Sequence, residues 1–184
     1  MQAPSSSTTA AEVTAFWREA GPSRWFKKDA DFDADFRERF LAAHEEAARG
    51  AFEGWAESAE GTLALLILLD QFPRNAFRGT ARMFATDGQA LAIARRAVEG
   101  GLDQQVELAL RNFIYLPFMH SEALADQERA VELTQPLGPE PYRFAILHRD
   151  IIACFGRFPH RNALLGRATT AGEQRFLDEG GFAG

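Results

Sequence analysis

Asp70 is the residue that most directly raises a question of chemistry. It follows the unbroken apolar run Leu63-Ala64-Leu65-Leu66-Ile67-Leu68-Leu69, where desolvation and the negative end of a helix dipole would both oppose a carboxylate. Such a group needs a cation. Arg74 and Arg78 follow at spacings of four and eight, and a planar guanidinium can hold a carboxylate by two hydrogen bonds while keeping donors for a ligand. The plainer reading is a purely architectural Asp-Arg pair that pins a corner. A second, similar corner exists: Phe72-Pro73-Arg74-Asn75-Ala76 is matched, with one insertion, by Phe158-Pro159-His160-Arg161-Asn162-Ala163. Each follows an apolar helical stretch and precedes a glycine, Gly79 or Gly166. If the two corners met, Arg74, Arg78 and Arg161 would over-compensate one acid and form an anion site. Asn75 and Asn162 would then orient the bound molecule.

The histidines supply acid-base capacity. His148 shares a helical face with Phe144, Ile151, Ile152 and Phe155, so its imidazole is expected to point inward, as a core histidine or a proton-transfer group. His120 and Glu122 flank Ser121 at an expected helix start, and His160 sits inside the second corner. His44 reads as the solvent-facing exception. The candidate catalytic residues are therefore His120 and His148. The candidate ligand-binding residues are Asp70, Arg74, Asn75, Arg78, Glu122, His160, Arg161 and Asn162.

Several chemistries lack their motifs. No Glu-x-x-His or His-Glu-x-x-His occurs, which argues against a carboxylate-bridged di-iron or zinc-hydrolase site, and no metal or cofactor is expected. Gly-x-Ser-x-Gly, the Walker loop and Gly-x-Gly-x-x-Gly are also missing. Cys154, the sole cysteine, rules out an internal disulfide, and its apolar run Ile151-Ile152-Ala153-Cys154-Phe155 reads as inert packing.

The elements that must hold these residues read as helices throughout. Four valines and six isoleucines stand against 18 leucines and 32 alanines, which favours helix over sheet and an all-α fold. Capping boxes at Thr9-x-x-Glu12 and Thr170-x-x-Glu173 open the first and last helices, and Gly21-Pro22 stops the first. A second helix runs from near Asp31 to Gly50 with phenylalanines at 32, 36 and 40. The central buried helix is expected to end at Pro73, the next to be capped by Thr80 or Thr86, and another to run from Asp103 to about Leu116-Pro117. Ser121 is expected to cap a helix to Thr134, and a long one follows from Tyr142 to Phe155. The sum is about eight helices in one domain spanning 9–184, behind a flexible tail at 1–8.

With 184 residues, 46% hydrophobic and 25% charged, the chain has the composition of a soluble folded protein. Lys27 and Lys28 are the only lysines among 20 basic residues, and 26 acids bring the net charge to −6. That sign disfavours a general nucleic-acid or anionic-membrane partner while leaving room for a local arginine site. No stretch could span a bilayer and no leader pattern opens the chain, so the expected location is cytoplasmic.

Six ordered motifs carry a family resemblance: Arg24-Trp25-Phe26, Leu69 to Asn75, Phe77-Arg78-Gly79-Thr80, Tyr115 to Glu122, Ala125-Asp126-Gln127-Glu128 and Gly156 to Asn162. From Phe16 to Leu177 the chain resembles the bacterial domain-of-unknown-function family 924, grouped with tetratricopeptide-like helical proteins. Ala76 and Ala81 depart from its pattern, where a bulkier residue and a proline are expected. The resemblance implies an antiparallel α-α superhelical, tetratricopeptide-like packing and transfers no activity, and the sequence has no clean 34-residue period. Two functions stay open. One is a binding protein or enzyme for a small anionic molecule, and the other is an interaction module that grips a protein segment, with the polar corners as struts.

Overall fold

Thr9 begins the first helix as its spacing requires. Its hydroxyl accepts from the Glu12 amide at 3.3 Å, and the Glu12 carboxylate accepts from the Thr9 amide at 2.7 Å. This is a computed structural model, and it describes residues 8–184; residues 1–7 of the expected tail lie outside the described residues. Helix α1 (Ala10–Ala20) buries Val13 and Trp17 and ends at Gly21, whose φ of 69° lies where a side chain would be strained. A one-turn helix, Pro22–Trp25, returns the Trp25 indole N–H to the Trp17 carbonyl at 2.7 Å. Helix α2 (Ala30–Ala48) is capped by Asp29 and buries Phe32, Phe36 and Phe40, which gather around Phe16.

The four-residue stripe on α2 does not stop at Phe40. His44 continues it and is 4% exposed, which corrects the expectation of a solvent-facing side chain. Its ring stacks on Phe72 and its Nδ1 lies 2.8 Å from the Leu68 carbonyl.

Helix α3 (Ala59–Leu66) is the centre of the molecule, packed by α1 on one side and by two later helices on others. Every residue from Leu63 to Leu69 is at most 3% exposed, and each such aliphatic side chain contributes about 1.5–3 kcal/mol by burial. Gly61 permits this depth, because a Cβ there would stand 2.1 Å from the Trp55 carbonyl oxygen.

Pro73 does not end the helix. The chain widens into a π-turn at Ile67–Gln71, where the Phe72 amide reaches back to Ile67, and it then runs on as α4 (Phe72–Ala76) with Pro73 inside. A proline in a helix removes one amide donor and presses on the carbonyl four residues back. Three consecutive carbonyls at this turn instead accept side-chain donors: Leu68 from His44, Leu69 from the Thr86 hydroxyl at 2.5 Å, and Asp70 from Arg74 at 2.9 Å. Asp70 therefore lies within a continuing helical path and not at its end.

Helix α5 (Asp87–Glu99) begins after Thr86, whose hydroxyl serves Leu69 and makes no cap bond. Asp103 opens only a short 3-10 turn, Asp103–Gln105; helix α6 (Leu108–His120) starts later and runs through Pro117 to His120. Ser121 is the residue after α6, while Ala123 precedes α7 (Leu124–Thr134), and the Ser121 hydroxyl donates to Asp126 at 2.6 Å. Gln127 donates to the Met119 and Ser121 carbonyls, 2.7 and 2.6 Å away, and so fastens α7 to the end of α6. Helix α8 (Pro139–Phe155) packs on α7, and α9 (Ala171–Asp178) opens on the expected Thr170–Glu173 capping box. Cys154 faces outward from α8 and is exposed, so it does not pack in the core. Among the described residues there is no strand, and no helix is long and apolar enough to cross a membrane. The fold is all-α.

Candidate functional site

Three chain segments converge at one place. The π-turn delivers Asp70 and Arg74, the first turn of α5 delivers Asp87, and the last residue of α6 delivers His120. The second corner, a 3-10 turn at Pro159–Arg161, adds Arg161.

Asp70 is fully buried. Its Oδ1 lies 2.7 Å from His120 Nδ1 and 3.3 Å from Arg74, and its Oδ2 accepts from Gln71 Nε2 at 2.6 Å. Burial alone would raise this carboxyl, but the Arg74 charge, His120 and the Gln71 hydrogen bond outweigh it and bring it down to about 2. An ionised Asp70 can only accept, which assigns the His120 proton to Nδ1. Burial and the Arg74 charge hold His120 below its ordinary value against the pull of Asp70. At neutral pH the ring is therefore neutral, and Nε2 carries a lone pair. No group among the described residues bonds to that Nε2, and the side chain is 14% exposed.

Arg74 is saturated. It clamps Asp87 through two bonds of 2.8 and 3.1 Å and also touches the Asp70 carboxylate and carbonyl. Burial works against its cation, yet Asp70 and Asp87 more than offset it and raise its pKa. Arg161 has poorer company. It donates to the His120 carbonyl at 3.0 Å, approaches Asp87 only to 3.6 Å, and lies between the rings of Phe84 and Phe158 at 4.7 and 4.5 Å. The residue is 6% exposed, and its Nε is sealed from solvent with no partner. Burial and the neighbouring Arg74 bring its pKa down to about 10, so the guanidinium stays charged at neutral pH.

The other expected residues divide. Asn75 and Arg78 turn to Asp33 on α2, at 2.7 and 2.5 Å, and tie α4 to that helix. Glu122 accepts two bonds from Arg167 and one from the Phe158 amide, and Asn162 joins Arg167 and Glu173, so these two brace the second corner. His148 and His160 both lie against Phe158, with the Phe182 ring 4.6 and 5.3 Å from them. Burial pushes both down to about 4. His148 Nδ1–H donates to the Phe144 carbonyl at 2.8 Å, while His160 Nδ1 is buried without a partner. Among the described residues no group of three or more histidine, cysteine or acidic side chains could hold a metal ion.

Asp87, Phe84 and Phe182 are absent from the sequence-derived set. Asp87 carried a signal, an acid in a first helical turn where the dipole favours it, but nothing local tied it to Arg74 13 residues earlier.

The fold and these contacts define an all-α protein that gathers an Asp-His pair and two arginines where several helices meet. The chain belongs to the bacterial family of proteins of unknown function DUF924, whose model matches residues 13–181. It is similar to the solved structure of a protein of unknown function, ATU0120, from Agrobacterium tumefaciens. The two are 54% identical with a TM-score of 0.91, and the match covers 93% of this chain and 97% of that one. No curated protein matches the chain.

Proposed function

We propose that this protein binds a small anionic molecule between Arg161 and His120 and uses His120 Nε2 as an acid or base on it. The observation that carries the reading is the conjunction of two unmet groups: a buried arginine with an unpartnered Nε, and an Asp70-oriented imidazole with a free Nε2. A buried charge-bearing donor without a partner is costly, and a ligand oxygen would remove that cost. The Asp70–His120 pair has the arrangement by which a carboxylate fixes tautomer and ring orientation for proton transfer. Arg74 holds the acids in place, and His148, neutral and buried behind Phe158, backs the site.

A thermal-shift screen against phosphorylated and carboxylated metabolites tests this. A ligand that binds only the folded state at about 100 times its Kd adds about 2.7 kcal/mol of stability. At least one anion is expected to stabilise the native protein, with the effect lost in Arg161→Ala; His120→Asn should bind that compound more weakly and lose any turnover of it. If no anion shifts the melting temperature while a specific protein segment is captured, the molecule is an interaction module built on tetratricopeptide-like packing, and its polar corners are struts.

A further inference from the structure

The charges around His120 cancel before any ligand arrives. Arg74 and Arg161 face Asp70 and Asp87, and Glu122, next outward, is taken by Arg167 through two bonds. Asp87 thus turns a pair of arginines that would attract any anion into a set with donors to spare and no spare charge. The spare donor is Arg161 Nε. A ligand bearing one negative charge would leave that charge uncompensated in a buried setting, which is expensive unless a proton comes with it.

His120 Nε2 can take that proton. The groups that face His120 are Asp70 and Arg74 from the turn, Asp87 from α5, His148 from α8, and His160 and Arg161 from the second corner. Burial disfavours a charge on all three imidazoles, and His148 and His160 have the rings of Phe158 and Phe182 as neighbours instead of an acid. His120 alone of the three sits on a carboxylate, which would stabilise its protonated form. Resting on the anion-binding reading above, we infer that the site takes a monoanion, a carboxylate, together with one proton from solvent that goes to His120 Nε2, and that it discriminates against dianions. The new Nε2–H and Arg161 Nε–H then both donate to the bound carboxylate. A dianion would need two protons or would leave one charge unmet.

Isothermal titration with acetate and with sulfate, near neutral pH and in buffers of different ionisation enthalpy, reads this directly. Acetate binding is expected to take up close to one proton per site, and its affinity to rise by up to about tenfold for each unit the pH is lowered toward the His120 range. Sulfate, a dianion at every pH used, is expected to bind at least about tenfold more weakly, since its second charge has no partner. His120→Asn, which keeps a donor for Asp70, should bind acetate more weakly and without proton uptake. Acetate bound with no proton uptake, or sulfate bound as tightly as acetate, would overturn the inference while leaving an anion site in place. Binding of neither anion would remove both the site and its selectivity.

Discussion

The two Phe-Pro corners are near copies in sequence and opposites in their hydrogen bonding. At the first, Pro73 sits inside a continuous helical path and Arg74 has four close acceptors, counting the two bonds to Asp87 and those to the Asp70 carboxylate and carbonyl. At the second, Pro159 opens a 3-10 turn and Arg161 has one carbonyl at 3.0 Å, one carboxylate at 3.6 Å and an orphaned Nε. Both arginines reach Asp87, and both lie over the same ring, Phe84. The difference shows how one motif used twice can separate holding from binding: a cation set between two carboxylates stabilises the fold, and a cation left short of partners can recruit one.

That contrast breaks most sharply at Arg74. Arg74→Ala would leave Asp70 and Asp87 facing each other's region without their shared cation, and removing one partner of a buried ion pair costs about 3–5 kcal/mol. Urea denaturation should show a loss of that size; a loss within the range of an exposed pair would mean that the first corner holds nothing.

The next effect belongs to the imidazoles behind the second corner. His148 and His160 have folded-state pKa values held down to about 4 by burial, below the ordinary 6.5. The folded state therefore binds fewer protons than the unfolded chain as the pH falls, so stability is complete above about pH 6.5 and declines toward pH 4. His120, also lowered, adds to the same acid limb, whereas Asp70 acts further down, between 3.8 and about 2. His148→Phe fills the same space against Phe158 and Phe182 with nothing to protonate, and should shrink the loss between those pH values by about 2–3 kcal/mol. An unchanged acid limb would show that His148 is already solvated enough to protonate freely.

Local signals in the sequence translated directly into structure. Both capping boxes formed because each needs only residues three apart, and the Asp70–Arg74 contact followed from one helical turn and the need of a buried acid for a cation. The failures have long-range causes. Pro73 reads as a helix terminator because the donors that meet the nearby carbonyls, His44 and Thr86, come from 24 and 17 residues away. The tie of Asp87 to Arg74 is hidden for the same reason, and without it the arginines look like an excess of positive charge. His44 was within reach: the spacing of Phe32, Phe36 and Phe40 passes through it, and a polar side chain on an aromatic stripe is buried when a carbonyl waits for it. Asn75, Arg78, Glu122 and Asn162 have the residue types of ligand contacts, yet only the packed helices reveal Asp33, Arg167 and Glu173 as their partners.

The division between the corners is tested most directly by urea denaturation of Arg161→Ala beside the native protein, with and without acetate. Removing an under-partnered buried cation should change stability by less than about 1 kcal/mol in the absence of anion, because the lost contacts are offset by relief of its desolvation. Acetate should then stabilise the native protein and leave the variant unmoved. A loss as large as that of Arg74→Ala, with the response to acetate retained, would show that Arg161 is a strut like its counterpart and that the anion binds elsewhere.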